Sequence, residues 1–218
     1  MHAPFSFLIA TASLVSVAAG CAHAPAPASE AAESADPGAA PGDTGAADVP
    51  FEVPRFERTD VGTTGLSAYL PKGFPAFNVT DSPDGSRVHS GEIGVGGFAF
   101  GCIALRFKDP LAPDEDPEAL LASYLDFLKA EFNITSAAGY GRGHTLESEP
   151  AARGIIDYWV DKNGEHYALE GWVTPTHLAV LYVVGPKDYP NINVQQLYLG
   201  GIRFAPTAPA APVVPPAP

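Results

Sequence analysis

Residues 154–173 read Gly154-Ile-Ile-Asp-Tyr-Trp-Val-Asp-Lys-Asn-Gly-Glu-His-Tyr-Ala-Leu-Glu-Gly-Trp-Val173. Two runs rich in β-branched and aromatic residues flank the Asn163-Gly164 pair, which is the strongest short-range signal for a β-hairpin. We therefore predict strands over residues 154–160 and 165–173. The second half of the domain is predicted to be an antiparallel meander built around this hairpin.

Residues 98–107 and 177–184 are apolar at both odd and even positions. This pattern predicts two strands that are covered on both faces. Shorter apolar runs, bounded by Pro, Gly and Asp, predict further strands. These strands are at residues 66–70, 77–80, 87–94, 143–149 and 202–204.

One long helix is predicted after residues 98–107. Asp116 can cap it, Pro117 suits the first helical position, and Glu118 complements the helix dipole. A shorter helix is predicted over residues 191–199. The resulting fold class is α+β, an antiparallel sheet with helices covering its faces. Apolar residues at helical spacing predict the buried stripe of the long helix: Leu120, Leu121, Tyr124, Leu125, Leu128 and Phe132.

The chain carries 25 acidic and 12 basic residues, a formal net charge of −13. Binding to a nucleic acid duplex requires a basic surface that replaces phosphate counterions, and the sequence contains no basic stripe. The composition therefore predicts no nucleic acid partner and no electrostatic attraction to anionic lipid.

The amino terminus contains a short apolar run, residues 5–19, that ends in Ala18-Ala19-Gly20-Cys21. Such a run before small residues is typical of an export signal. The four residues resemble the lipobox of bacterial lipoproteins, in which Gly precedes a cysteine that receives acyl chains such as palmitate. The resemblance implies a signal peptide over residues 1–20 and lipidation of Cys21. By the usual sorting pattern of such lipoproteins, Ala22 after the cysteine favours the outer membrane, facing the periplasm. The alternatives to a lipoprotein signal are plain secretion or a membrane span.

The remaining chain divides by composition. Residues 21–50 are mostly Ala, Pro, Gly and Ser with scattered acids, and they cannot bury enough apolar surface to fold. We predict a disordered linker there, one globular domain over residues 51–204, and a second disordered, Pro/Ala-rich segment over residues 205–218. That tail is either a spacer or a polyproline-like recognition segment.

Several features of the domain resemble the PsbP/DcrB-like superfamily. They are a strand ending in Leu70-Pro71-Lys72-Gly73-Phe74, a helix led by Pro117-Glu118, the hairpin meander, and the closing Gly200-Gly201-Ile202-Arg203-Phe204. The resemblance spans about residues 62–204. It implies an α/β/α sandwich and, in bacteria, a small envelope lipoprotein that acts in binding or assembly rather than catalysis.

Residues that carry chemistry are sparse. The sequence contains no Gly-x-Ser-x-Gly, His-Glu-x-x-His, Cys-x-x-Cys or phosphate-loop motif. No cofactor or metal ion is predicted. His144 and its neighbours Glu147 and Glu149 point to opposite sides of a strand, and His89 and His177 have no evident local partner. Cys102 is predicted to be a buried structural cysteine.

Four aromatic residues of the hairpin are the candidate binding surface. They either pack beneath the helices or form a groove for a peptide or lipid. These residues are Tyr158, Trp159, Tyr167 and Trp172.

Three alternative functions are compatible with these sequence features. The first is a lipid-anchored, non-catalytic cell-envelope protein that binds an unidentified envelope protein or assists assembly. The second is a periplasmic carrier of a lipid or other small hydrophobic ligand, held between the sheet and residues 120–132. The third is a hydrolase whose catalytic groups come from distant positions, for example a serine near His144 or His89.

Overall fold

The computed structural model describes residues 53–82 and 84–204, which form eleven strands and two helices in one compact unit. The predicted signal peptide, Cys21, the linker over residues 21–50 and the tail over residues 205–218 lie outside the described residues. The fold is α+β, with two antiparallel sheets.

The elements follow one another along the chain as β1 (Phe56–Asp60), β2 (Leu66–Pro71), β3 (Asn78–Asp81), β4 (Arg87–Val95), β5 (Phe98–Arg106), α1 (Pro117–Glu131), β6 (Ile134–Ala137), β7 (Gly141–Leu146), β8 (Glu149–Asp161), β9 (His166–Val173), β10 (His177–Gly185), α2 (Ile192–Leu199) and β11 (Arg203–Phe204). The large sheet has the order β3-β4-β5-β10-β9-β8-β6, and β7 also pairs with β8. The small sheet has the order β1-β2-β11.

The predicted hairpin is confirmed as β8 and β9, with Val160 opposite His166. Its turn is fixed by Asp161, whose carboxylate accepts hydrogen bonds from the backbone N–H groups of Asn163 at 2.8 Å and Glu165 at 2.9 Å. Gly164 has a φ of +83°, a conformation that glycine adopts without steric penalty. The hydrogen bonds of Asp161 and the backbone of Gly164 therefore stabilise the turn that this strand register requires.

Helix α1 packs on one face of the large sheet, against β8 and β9. Leu121, Leu125 and Leu128 are fully buried there, together with Ile155 and Leu169 of the sheet. Asp116 caps the helix as predicted, since its carboxylate accepts a hydrogen bond from the Glu118 N–H at 2.9 Å. Two members of the predicted stripe, Leu120 and Phe132, are only half-buried.

The opposite face of the large sheet meets α2 and the small sheet. The ring of Phe100 on β5 lies 5.2 Å from the ring of Tyr198 on α2 and 5.9 Å from that of Phe56 on β1, measured between centroids. The Tyr198 hydroxyl donates to the Gly101 carbonyl at 2.7 Å. Residues 100–105 are all buried, which confirms that β5 is covered on both faces.

The largest differences from the predicted strands are at four places. No strand was predicted at β1 or β6, the strand predicted over residues 143–149 is β7 over Gly141–Leu146, and β8 begins at Glu149 rather than at residue 154. Strands β1 and β6 lie at sheet edges and are largely exposed, so their sequences lack a buried apolar face. Within the described part of the chain, no helix is long and apolar enough to cross a membrane.

Candidate functional site

A cleft of about 590 Å³ opens at the ends of strands β5 and β10. Its other walls are the turn before β2, the start of β8 and strand β11. The side chains that give it chemical character are those of Arg106, Lys108, Glu149, Thr176, His177 and Phe204. We call it the Arg106 cleft. It is well within the range of about 300–1,000 Å³ typical of small-molecule sites.

His177 is held in the wall of the Arg106 cleft by both ring nitrogens. Nε2 lies 2.8 Å from the Thr64 carbonyl oxygen, and Nδ1 lies 2.8 Å from the Thr176 hydroxyl. A carbonyl only accepts, so Nε2 carries the proton and Nδ1 of the neutral ring accepts from Thr176. Burial lowers the pKa of His177; the Thr64 contact opposes this, and the charge of Arg106 adds to it.

A tight turn places Thr176 and His177 at the rim. The Thr174 hydroxyl accepts from the backbone N–H groups of Thr176 at 3.3 Å and His177 at 3.1 Å. A hydroxyl that donates to an imidazole resembles a nucleophile with its base. Here the group that orients the imidazole is the neutral Thr64 carbonyl, whereas a carboxylate commonly fills that role in serine hydrolases.

The charge in the cleft is unusual for an acidic protein. Arg106 and Lys108 are exposed, and within residues 53–82 and 84–204 neither has an ion-pair partner. Arg87, by contrast, pairs with Asp81 at 3.3 Å. The lining includes one acidic residue, Glu149. The cleft therefore presents more positive than negative charge.

A second, smaller concavity of about 160 Å³ lies between β8, β9 and the start of α2. Tyr158 and Ile192 line it and are 49% and 52% exposed. At its rim, Nδ1 of His166 lies 2.9 Å from the Asp188 carboxylate, and Lys187 adds a further charge. We call it the Tyr158 hollow.

The four predicted aromatic residues do not share one surface. Tyr158 and Tyr167 line the Tyr158 hollow, although the ring of Tyr167 also stacks on Phe132 at 5.5 Å between centroids. Trp159 is 2% exposed and faces α1; Trp172 is 3% exposed and lies against Gly154. Neighbouring residues of a strand point to opposite faces, so Tyr158 and Trp159 are separated by the sheet itself.

A buried ion pair joins α1 to β8. The Asp157 carboxylate accepts from Gly139 N–H at 3.0 Å, Tyr158 N–H at 2.8 Å and Trp159 Nε1 at 2.6 Å. The ammonium group of Lys129 lies 3.4 Å from the same carboxylate. These contacts satisfy the buried charge, so we assign the cluster a structural role. This ion pair could not be predicted from the sequence, because Lys129 and Asp157 are 28 positions apart and on different elements.

The remaining candidate groups lie apart from one another. His89 is 2% exposed, and burial lowers its pKa. His144 is half-buried on β7. Cys102 is fully buried, which raises the pKa of its thiol to about 12 and confirms the predicted structural cysteine. The described residues include no group of three His, Cys, Asp or Glu side chains suited to a metal ion.

In comparisons with known proteins, no family model and no curated protein matches the chain. The PsbP/DcrB-like resemblance therefore stays a prediction. Function is therefore inferred from the geometry of the two concavities.

Proposed function

We propose that this chain is a lipid-anchored, non-catalytic protein of the cell envelope that binds another envelope protein or assists assembly of a complex. The observation that carries this proposal is the Tyr158 hollow, where two large apolar side chains stand about half exposed at one concavity. Exposed apolar side chains around a pocket, with a charged rim, are typical of protein-binding surfaces.

The half-exposed Tyr158 of the hollow fits this role. Tyrosine is enriched among the residues that contribute most to protein–protein affinity, because it buries a large rigid surface and retains a polar group. Lys187, Asp188 and His166 supply the polar rim. A partner that covers Tyr158 and Ile192 would remove both from water.

Lipidation of Cys21 and the PsbP/DcrB-like fold are further parts of this proposal. Lipidation of Cys21 would hold the protein at the outer membrane, facing the periplasm, and residues 22–50 would separate the domain from the bilayer. The PsbP/DcrB-like α/β/α sandwich is likewise proposed. It is supported by α1 on one face of the large sheet and α2 with the small sheet on the other.

The test compares exposed apolar residues at and away from the hollow. Tyr158→Ala and Ile192→Ala remove side chains of the hollow, whereas Val79→Ala changes a 50% exposed residue on β3, at the far edge of the large sheet. Each full-length variant is expressed in its native envelope, cross-linked, and purified. We expect the two hollow variants to reduce partner recovery about tenfold or more, and the Val79 variant to leave it unchanged.

Equal partner recovery by all three variants would contradict the proposal that the partner binds at the Tyr158 hollow. Thermal unfolding of each variant serves as the control for folding, because these exposed positions are expected to change stability by only about 0.5 kcal/mol.

A ligand carrier is the second candidate, and the Arg106 cleft is the observation that favours it. The site first predicted for the ligand, between the sheet and α1, is filled by Leu121, Leu125 and Leu128. A hydrolase is the third candidate, now favoured by the Thr176–His177 contact rather than by His144 or His89. An activity screen of the purified protein without turnover would count against it.

A further inference from the structure

We propose that the Arg106 cleft binds a small organic anion with an apolar body, whose anionic head is neutralised by Arg106 and Lys108. This inference does not depend on the Tyr158 hollow, because the two concavities share no lining residue.

Two cations of the cleft lack an acidic partner in the described part of the chain. Arg106 and Lys108 line one concavity in a chain with a net charge of −13, and within the described residues neither is neutralised by a carboxylate. A guanidinium offers paired N–H donors that match a carboxylate or phosphate, and an ammonium adds a second charge. A bound anion would supply the counter-charge that these two groups lack.

The wall of the Arg106 cleft is preorganised. Strand pairing sets Arg106 directly opposite His177, and two hydrogen bonds fix the His177 ring. The Lys108 backbone N–H donates to the Ser86 hydroxyl at 3.3 Å, which holds the start of the chain segment after β5. A ligand therefore meets a wall whose backbone is already positioned.

The cleft also has an apolar lining, which inorganic phosphate alone would leave unused. Phe107, Pro110, Pro175 and Phe204 line the cleft beside the two cations. The Phe204 ring lies 6.2 Å from the His177 ring, between centroids. Glu149 lines the same cleft and would repel an anion. The apolar lining thus favours a head group with an attached hydrocarbon body.

Isothermal titration of the full chain with hexyl phosphate, hexanoate, hexanol and inorganic phosphate tests the proposal. We expect saturable 1:1 binding of hexyl phosphate and hexanoate, each about tenfold or more tighter than hexanol or inorganic phosphate, and weakened by added salt. Hexanol binding as tight as hexyl phosphate, or no saturable binding of either anion, would overturn it.

Paired variants separate a local site from overall charge. Arg106→Gln with Lys108→Gln is expected to reduce hexyl phosphate affinity about tenfold or more, equivalent to a loss of about 1.4 kcal/mol. Arg55→Gln with Lys162→Gln removes the same charge from two exposed positions outside the cleft and should leave affinity unchanged. Equal losses in both pairs would contradict the proposal.

Three further variants extend the test. Glu149→Gln should strengthen hexyl phosphate binding, because it removes a like charge, and weaker binding would count against the proposed head-group position. Lys108→Gln alone should weaken hexyl phosphate binding, because it removes one of the two proposed charges, and unchanged affinity would count against a contact between Lys108 and the head group. Tyr158→Ala should not change hexyl phosphate affinity, so failure of the partner surface and failure of the cleft are distinguishable.

Discussion

Burial lowers the pKa values of two histidines, His89 and His177. Each ring is held neutral near pH 7 by the cost of burying its charged form. In the unfolded chain the same side chains regain a pKa near 6.5. The unfolded state therefore binds more protons as the pH falls through this range.

We expect the free energy of unfolding to decrease as the pH falls below about 6.5, because protons bind preferentially to the unfolded chain there. Urea denaturation at intervals from pH 8 to pH 5 measures this slope. His177→Gln should flatten it, whatever its effect on stability at pH 8. A slope unchanged by this variant would show that His177 is not a source of the pH dependence.

Single side chains were predicted well where their partners are close in sequence. Asp116 caps α1 by accepting from Glu118, two positions away, and the apolar neighbours of Cys102 predicted its burial. The Arg106 cleft could not be found in this way. His177 contacts the Thr64 carbonyl 113 positions earlier, and this contact exists only after the turn before β2 has come to lie beside the start of β10.

The strands of the two sheets differ in how clearly their sequence patterns predict them. Strands β5 and β10 are buried on both faces, so continuous apolar runs identified them. Strands β1 and β6 are exposed edges, and tertiary pairing rather than side-chain pattern determines their conformation. The α+β class and the hairpin were therefore predictable, whereas the second sheet was not.

The close pairing of β5 with β10 requires a glycine at position 101. A Cβ atom there would overlap the ring of Tyr182, whose hydroxyl donates to Glu92 at 2.8 Å and restricts its movement. We expect Gly101→Ala to lower the free energy of unfolding by about 1–3 kcal/mol. Gly94→Ala is the matched control, because the nearest atom to its Cβ would be 3.9 Å away.

Urea denaturation curves of both variants measure this difference. The Gly94 variant should remain within about 0.5 kcal/mol of the parent protein. Equal midpoints for the two variants would contradict the steric argument and would indicate that β5 and β10 can separate without loss of packing.

The proposed lipidation of Cys21 can be tested with a matched control, because the chain contains two cysteines. We expect the parent protein in the membrane fraction, with a mass increased by acyl chains on Cys21. Cys21→Ala should lose both the mass increase and the attachment. Cys102→Ala is the control: it changes a fully buried residue and should leave both unchanged.

Membrane attachment and mass that persist in the Cys21→Ala protein would contradict lipidation. Such a result would favour a membrane-spanning segment, the alternative left open by the sequence. Release of the parent protein in soluble form would instead favour plain secretion.

The position of α2 and β11 at the end of the fold affects how the chain can fold during synthesis. Phe100 lies on the fifth strand, yet Tyr198, which covers it, and β11, which completes the small sheet, come about a hundred residues later. A chain that emerges amino terminus first exposes this apolar strand until its last elements appear. Such exposed strands favour aggregation, so we expect nascent chains of this protein to require a holding chaperone until residue 204 has emerged.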